Sequence, residues 1–341
     1  MDPLVSVEGS TRAVVTALCA NLGIAATKFV AYLLTGSSSM MAESIHSVAD
    51  SSNQALLLIG GKRARRGATE EHPFGYGRER YVYAFMVAIV LFSLGGLFAL
   101  YEAWHKISHP EPITSWQWVP VAVLLVALVL ESFAMRTAVK ESNAVRGKAT
   151  WVQFVRRSKA PELPVILLED AGALLGLVFA LVGVSLTLIT GNGLWDGLGT
   201  AAIGLLLVAI AIVLAVEVKS LLIGESATSE NVRAIRRAIE SVEDIDRLIH
   251  MRTQHVGPEE LLVAAKVAVD AHDDAGRITR AIDEAEERIR TAVPIATLVY
   301  IEPDLFRSGA SPGASPGTVS SGRTGGGAAA GAVRRTTTEA N

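Results

Sequence analysis

The sequence has a single cysteine, Cys19, among its 341 residues. One cysteine cannot form a disulfide within the chain, and it excludes a metal centre made of clustered thiolates. Charged side chains are also scarce, at 19% of residues, and the formal net charge is −3. This balance gives no reason to expect a polyanionic partner, so we expect no nucleic-acid binding. The N-terminus lacks the basic, apolar and small-residue order of a cleavable signal peptide, and none is expected.

Apolar residues are abundant instead: they make up 50% of the chain, and its mean hydropathy is +0.38. A bilayer core of about 30 Å requires roughly 20 apolar residues per helix. Segments of that kind recur along the chain, at residues 12–35, 39–61, 81–104, 117–138, 162–190 and 195–222. We therefore predict an α-helical membrane protein with a six-helix transmembrane domain at residues 12–223, in contact with the lipid bilayer.

Basic residues are distributed unevenly among the loops. "GKRARRGATEEHPFGYGRER" and "RTAVKESNAVRGKATWVQFVRRSKAPE" are rich in Arg and Lys, whereas the remaining loops hold one lysine, Lys106. Loops rich in Lys and Arg tend to stay on the cytoplasmic side. We predict a multi-pass protein of the cell (inner or plasma) membrane, with a cytoplasmic N-terminal segment at residues 1–11 and a cytoplasmic C-terminus.

The composition changes after residue 224. "TSENVRAIRRAIESVE" has helical periodicity, with Thr228 or Ser229 as N-cap. "IDRLIHMRTQHV" and "LLVAAKVAVD" read as strands, "AGRITRAIDEAEERIRTAV" as an amphipathic helix, and "IATLVYIEP" as a last strand. Residues 224–304 are predicted to form an α+β domain of order αββαβ. Residues 305–341 are low in complexity, and we predict a disordered tail.

Polar residues interrupt the second apolar segment at regular intervals. In "AESIHSVADSSNQ", Glu43, His46, Asp50 and Asn53 are spaced three, four and three apart, which places them on one face of a helix. A charge at mid-bilayer costs about 2.5–3.5 kcal/mol, so this face should line the bundle interior or a water-filled path. His46 and Asp50 can reach one ion, and imidazole with carboxylate suits Zn²⁺. Glu43 and Asn53 are predicted to line the path.

Glu43, His46, Asp50 and Asn53 together form a polar stripe on this helix, and other roles stay open for the two outer residues, Glu43 and Asn53. Asn53 could instead hydrogen-bond a neighbouring helix, and Glu43 could serve the helix dipole near the helix start. A second half of the site is needed, and the fifth segment offers Glu169 and Asp170. Adjacent residues lie about 100° apart on a helix, so at most one of them points squarely at the second segment.

Several other polar residues lie in apolar segments. Lys28 could pair with a carboxylate or extend toward the interface. Asp196 precedes the glycine-rich sixth segment and is predicted to be its N-cap. The small residues of "GLGTAAIG" favour close helix approach. Weaker signals come from Asn21, Glu102 and Glu131.

Five pieces of the sequence together resemble the cation diffusion facilitator family of divalent-metal transporters, over roughly residues 10–304. They are "AESIHSVADSSNQ", "HPFGYGRER", the "ED" of the fifth segment, "WDGLGTAAIGLLL" and "MRTQHVGPEELLVAAKVAVD". The resemblance implies six helices, a cytoplasmic ferredoxin-like domain and a homodimer. It also implies exchange of a cytoplasmic divalent cation for protons, with no enzymatic activity and no resident cofactor.

The family's transport site falls on His46, Asp50 and Asp170 as metal ligands. Its fourth ligand falls on Ile166, which cannot bind metal, so Glu169 is the candidate substitute. "LLEDAGALLG" resembles the branch of the ninth human zinc transporter, where the same position is altered. Arg78 takes the place of a family basic residue at the dimer interface.

The family's accessory metal sites are incomplete in this sequence. His72 is kept, but Tyr76 stands where some relatives have a histidine. In the C-terminal domain the metal positions fall on residues that do not form a cluster, and three histidines lie nearby but out of register. The metal positions fall on Ile249, Lys266, Tyr300 and Glu302. The three nearby histidines, His250, His255 and His272, are expected on the solvated surface. The domain is predicted to dimerise without the full regulatory metal cluster.

The residues and the resemblance favour a transporter that exports Zn²⁺ in exchange for protons. Metal ligands must be deprotonated, so protons and metal compete for the same carboxylates. A transporter for Mn²⁺ or Fe²⁺ with the same fold, and a membrane metal sensor without transport, remain as alternatives. An intramembrane metalloenzyme is disfavoured, because the sequence has no H-E-x-x-H pair.

Overall fold

The computed structural model describes residues 22–306. The predicted N-terminal segment, residues 12–21 of the first apolar segment and residues 307–341 of the predicted tail lie outside this range. A helical bundle comes first, made of α1 (Leu22–Thr35), α2 (Ser38–Ala64), α3 (Glu79–Ser108), α4 (Trp118–Arg146), the short α5 (Trp151–Arg157), α6 (Glu162–Thr190) and α7 (Leu194–Ile223).

Four of these helices, α3, α4, α6 and α7, are long and apolar enough to cross a membrane. They confirm the third to sixth predicted segments. α1 is apolar but shorter within the described residues, and α2 carries the polar stripe. α4 continues past the predicted end at residue 138 and stops at Gly147, whose positive φ of 57° ends the helix.

The short helix α5 was not predicted, although its start has a recognisable signal. The Thr150 hydroxyl accepts a hydrogen bond from the Gln153 amide, and the Gln153 side chain accepts one from the Thr150 amide. This reciprocal capping box satisfies two helix-end donors. Phe154, on the same helix, is buried against Leu167 of α6. Local capping and one apolar anchor therefore fold part of a loop that composition alone marks as basic and polar.

Small residues let α6 and α7 approach closely, as predicted. A Cβ added at Gly183 would lie 2.8 Å from the backbone oxygen of Trp195, and one at Gly199 would lie 2.9 Å from that of Phe179. Any side chain at either position would push the two helices apart. Larger apolar residues such as Leu207 fill the core of the bundle elsewhere.

The prediction that Asp196 caps its own helix is wrong. The N-cap of α7 is Gly193, and Asp196 lies in the first helical turn, fully buried. Its carboxylate accepts hydrogen bonds from the Ser38 amide at 2.8 Å, the Ser37 hydroxyl at 3.0 Å and the Ser39 amide at 3.3 Å. The first amides of a helix have no backbone partner within it. The N-cap hydroxyl of Ser37 accepts from the Met40 amide, and Asp196 supplies the acceptor for the Ser38 and Ser39 amides. Asp196 therefore caps α2 across the bundle.

The C-terminal domain has the predicted order αββαβ. It consists of α8 (Ser229–Glu240), β1 (Arg247–Gly257), β2 (Glu260–Ala268), α9 (Ala275–Ala292) and β3 (Leu298–Asp304). In the sheet of order β1-β2-β3, β1 and β2 are antiparallel, and β2 and β3 are parallel.

The two helices of this domain cover a single apolar core with the sheet. Ile235 of α8, Leu261 and Val263 of β2, and Ile289 of α9 are all buried in it. The hydroxyl of Thr228 accepts a hydrogen bond from the Asn231 amide, which makes Thr228 the N-cap of α8.

One histidine of the C-terminal domain is buried, contrary to the expected solvated position. His255 is 1% exposed, because the end of β1 packs against the segment after α7, where the His255 amide donates to the Glu225 carbonyl at 2.8 Å. His272, in contrast, is exposed and pairs with Asp270. The expectation is therefore wrong for His255 and confirmed for His272.

Burial of His255 predicts a pH dependence of this domain. Burial lowers the pKa of His255 below its ordinary 6.5, so the unfolded chain binds more protons than the folded chain between the two pKa values. The stability that neutral His255 provides is present above pH 6.5 and is lost as the pH falls toward the folded pKa. In the full chain, protection of the β1 and β2 amides against hydrogen exchange should fall between pH 7 and pH 5. His255→Gln, compared at each pH, should remove most of that fall; an equal fall in both proteins would contradict the assignment.

Candidate metal-transport site

The centre of the polar stripe brings an imidazole and a carboxylate together inside the bundle. His46 is 1% exposed, and its Nε2 lies 3.5 Å from Oδ2 of Asp50. The four-residue separation produces this proximity, since residues four apart are neighbours on one helix face. The structure therefore places His46 and Asp50, the two predicted metal ligands of α2, side by side.

Several polar atoms of this stripe have no hydrogen-bond partner among the described residues. They include both ring nitrogens of His46 and Oδ1 of Asp50. A buried polar group without a partner costs about 1–3 kcal/mol, and such groups are rare in folded proteins. Imidazole nitrogen and carboxylate oxygen are also ligand atoms of Zn²⁺. Unpaired ligand atoms of both kinds at one buried place fit a site that receives a cation.

An irregular stretch of α3 lies against His46. Residues Leu91–Leu97 of α3 are π-helical, a conformation that often occurs at functional sites. Within it, a Cβ added at Gly95 would lie 3.2 Å from Leu207 of α7 and 3.9 Å from Nδ1 of His46. The absence of a side chain at Gly95 thus lets α3 pass close to both the imidazole and α7.

The two acids of the fifth predicted segment face different neighbours. Glu169 is 5% exposed, and its Oε1 accepts a hydrogen bond from Nδ2 of Asn53 at 2.5 Å. Asp170 is half-buried and has Glu131 and Asp50 as its charged neighbours. Ile166, one turn before Asp170, packs with residues of α4 and α5. Glu169 is therefore the acid that contacts α2 directly, and Asn53 makes the bond between helices that the sequence left open.

No three His, Cys, Asp or Glu side chains in residues 22–306 are close enough together to hold one metal ion. His46 and Asp50 thus form half of a site, and Asp170 does not complete the predicted set in this arrangement. The roles of Asp170 and Glu169 as ligands stay predictions.

A lysine from α1 enters the same polar stripe. Nζ of Lys28 donates to Oε2 of Glu43 and to the hydroxyl of Ser47, each at 2.9 Å, and Lys28 is 1% exposed. Lys28 therefore pairs with a carboxylate instead of extending to the interface. Since α2 has no acid in its first turn, Glu43 serves this ion pair and not the helix dipole.

Glu131 of α4 is a further acid of the site that the sequence ranked only as a weaker signal. It is half-buried, and its charged neighbours are Lys28, Asp50, His46 and Glu43. An acid in an apolar segment was the available signal. Its position could not be read from the sequence, because that depends on which face α4 turns toward α2 and α6.

Residues 14–223 match the family model described as the cation efflux transmembrane domain. The chain belongs to the cation efflux family. This is the family of metal transporters, also called cation diffusion facilitators, that the motifs predicted. The match covers every residue of the stripe and both acids of α6.

Curated relatives of this cation efflux protein extend the match beyond the transmembrane domain. "Proton-coupled zinc antiporter SLC30A9, mitochondrial" of Xenopus laevis is 32% identical over 266 residues, 77% of this chain and 47% of that protein. The human protein of the same name is 31% identical over 265 residues, 77% and 46% of the two chains. The chain thus spans about half the length of these relatives. "Manganese efflux system protein MneP" of Bacillus subtilis is 23% identical over 261 residues, 74% and 82% of the two chains.

Among solved structures, the nickel form of a MamM C-terminal domain variant is 14% identical to this cation efflux protein. It covers 24% of this chain and 100% of its own, with a TM-score of 0.22.

The predicted accessory positions of this cation efflux protein hold an ion-pair cluster. Lys266 of β2 faces Glu302 of β3 across the sheet, and its Nζ lies 2.9 Å from Glu302 Oε1 and 3.2 Å from Asp304 Oδ2. The hydrogen bonds that Lys266 donates to Glu302 and Asp304 raise the pKa of Lys266 above its ordinary value. A lysine ammonium thus occupies the place where the family pattern would put a metal ligand. Absence of the full regulatory cluster stays a prediction.

The two basic residues that begin α3 differ in their contacts. Arg78, the predicted dimer-interface residue, is exposed at the position before α3. Arg80 instead contacts Glu162 of α6 at 2.5 Å and Glu259 of the C-terminal domain at 3.3 Å. The described chain therefore uses Arg80 to connect the bundle to the C-terminal domain, and the role of Arg78 stays a prediction.

Proposed function

We propose that this protein is a secondary transporter that exports Zn²⁺ from the cytoplasm in exchange for protons. The observation that carries the proposal is the His46–Asp50 pair inside the bundle, in which both imidazole nitrogens and Oδ1 of Asp50 lack hydrogen-bond partners among the described residues. The frog and human relatives, each named a proton-coupled zinc antiporter, support the same ion and the same coupling.

Charge explains how the exchange works. The ion binds His46 and Asp50 and draws Asp170 of α6 toward them, because a divalent cation removes the repulsion between the two carboxylates. Metal binding requires deprotonated ligands, and protons compensate the same charges after release. Helix movement then alternates access to the two sides. Proton entry helps the metal leave, and metal entry helps the protons leave.

The favoured metal follows from the ligand types. Imidazole suits Zn²⁺, whereas Mn²⁺ prefers carboxylate, carbonyl and water ligands. His46 at the centre of the stripe therefore favours zinc over manganese, although one relative is named a manganese efflux protein. A membrane sensor without transport would bind metal but produce no flux, and the names of the antiporter relatives do not favour it.

The proposed architecture has six membrane spans, with α1 and α2 joining the four long apolar helices. Their Arg and Lys content assigns both basic loops to the cytoplasmic side. With six crossings, the C-terminal domain lies on the same side as those loops. That domain is proposed to have the ferredoxin-like fold and to dimerise, with Arg78 at the dimer interface. We propose the cell membrane as the location. The named mitochondrial location of the frog and human relatives makes membrane fractionation of the source cells the direct test.

Restoring the family's fourth ligand tests the proposed ligand set. Transport of Zn²⁺, Mn²⁺, Fe²⁺, Co²⁺ and Cd²⁺ is compared in proteoliposomes between the wild type and Ile166→His. A direct ligand should contribute at least as much as an outer-shell partner, which is worth about 10–100-fold in metal affinity. We expect tighter apparent Zn²⁺ affinity and faster Zn²⁺ transport at low zinc, with little change for Mn²⁺. Ile166→Leu controls for packing against α4 and α5, and abolition of Zn²⁺ transport by Ile166→His alone would contradict the set.

A further inference from the structure

The Lys28 ammonium occupies a position built to hold a cation. A carboxylate oxygen of Glu43 and the hydroxyl of Ser47 both lie 2.9 Å from Nζ, and all three side chains are buried. Oxygen atoms of carboxylates and hydroxyls are also ligands of hard metal cations. A single turn of α2, entirely within the bundle, therefore presents a cation site whose occupant is tethered to α1.

Glu43 has binding capacity that Lys28 does not use. Its Oε1 is buried and has no hydrogen-bond partner among the described residues. It is directed at Gly176 of α6, where an added Cβ would lie 2.8 Å from it. Leaving a charged oxygen unpaired costs more than leaving a neutral one. The glycine thus preserves the space around an oxygen that is free to bind a second positive group.

Glu43 and the His46–Asp50 pair lie one after the other along the axis of α2. α7 leads from Asp196 to the C-terminal domain, and Asp196 caps the start of α2, so α2 starts at the end of the bundle remote from that domain. Glu43 precedes His46 by three residues, about 4.5 Å along the helix axis. It is therefore the next carboxylate of the stripe in the direction away from the proposed cytoplasmic side.

We propose that Glu43 and Ser47 form a second binding site for a divalent cation, the exit station, between the His46–Asp50 pair and the side on which the ion is released. The Lys28 ammonium occupies the exit station until the transported ion displaces it. This inference rests on the proposed export function. Competition by a tethered cation prevents a metal ion from being trapped between two carboxylate sites, because Lys28 returns to Glu43 after each release. Lys28 is then a positioning residue that sets how tightly the exit station binds.

Metal stoichiometry tests the station directly. Zn²⁺ binding is measured by equilibrium dialysis on the full chain in detergent, for the wild type, Lys28→Met and the double variant Lys28→Met/Glu43→Gln. Lys28→Met should bind one more Zn²⁺ per chain than the wild type, and the double variant should lose that additional ion. Lys106→Met is the matched control, because Lys106 is a buried lysine that donates to the Gly36 carbonyl and not to a carboxylate. It should bind as the wild type does, and a folded Lys28→Met without the additional ion would overturn the inference.

A second variant keeps the test open if Lys28→Met does not fold. Glu43→Gln keeps the shape of the side chain but removes its charge, and it should lower Zn²⁺ turnover by about tenfold while the Zn²⁺ affinity of the His46–Asp50 site changes little. Unchanged turnover would also overturn the station. Failure of the export function would appear differently, as an absence of Zn²⁺ flux in the wild type, whereas the stoichiometry is a difference between proteins and does not depend on flux.

Discussion

Replacing Asp50 with alanine is expected to abolish metal-driven proton flux in proteoliposomes. Asp50 is the only carboxylate in contact with His46 among the described residues, and the exchange requires one group that binds metal in one state and a proton in the other. We expect the Zn²⁺-driven proton flux to fall by at least about a hundredfold, to the rate of empty vesicles. The measurement uses a pH-sensitive dye trapped in the vesicles.

Two comparisons separate this effect from loss of folding. Asp50→Asn has nearly the same shape but cannot exchange a proton, so it should fail as completely as the alanine variant. Glu102→Ala removes a different acid from α3 that is not among the charged neighbours of His46 or Asp50, and it should retain most of the flux. Normal flux in Asp50→Ala would contradict the assignment of the site.

Replacing Asp196 with alanine is expected to cause the largest loss of stability of any single substitution considered. The Asp196 carboxylate accepts hydrogen bonds from the amides of Ser38 and Ser39 and from the hydroxyls of Ser37 and Ser38. Hydrogen bonds to charged groups contribute about 1.5–3 kcal/mol each, and helix caps about 0.5–2 kcal/mol. Because these bonds share one carboxylate, we expect a total loss of about 3 kcal/mol in the free energy of unfolding.

The loss should be greatest at the start of α2. Unfolding of the full chain in detergent measures its size, and hydrogen exchange of the Ser38 and Ser39 amides measures its place. Asp196→Asn keeps one carbonyl acceptor and should lose roughly half as much. Ser37→Ala removes a hydroxyl that donates to Asp196 and accepts from the Met40 amide, and it should lose roughly 1 kcal/mol. An alanine variant that loses less than Ser37→Ala would contradict the cap.

The regular features of the bundle could be predicted from the sequence because they are local. Apolar length identified α3, α4, α6 and α7, and the three-four-three spacing identified one polar face on α2. The sequence could not show which partner each polar residue meets. An aspartate before an apolar run normally caps that run, yet Asp196 caps α2, 158 residues from Ser38 in the chain.

The same limit applies to the adjacent acids of α6. Their 100° separation predicted that at most one of them faces α2 squarely, but not which one. Helix rotation, set by packing, turns Glu169 toward Asn53 and leaves Asp170 near Glu131. The π-helical part of α3 was likewise not predicted, although "LFSLGGL" contains a serine and two adjacent glycines, and glycine is unfavourable in a helix interior.

The most direct test of the central claim is whether a proton gradient alone moves zinc against its concentration. Sealed vesicles containing the full chain receive equal Zn²⁺ on both sides and a more acidic lumen. We expect Zn²⁺ to accumulate inside as protons leave, a protonophore to abolish the accumulation, and Asp50→Ala to show none. Zn²⁺ that binds to the wild-type protein but does not accumulate under the gradient would contradict proton-coupled zinc transport.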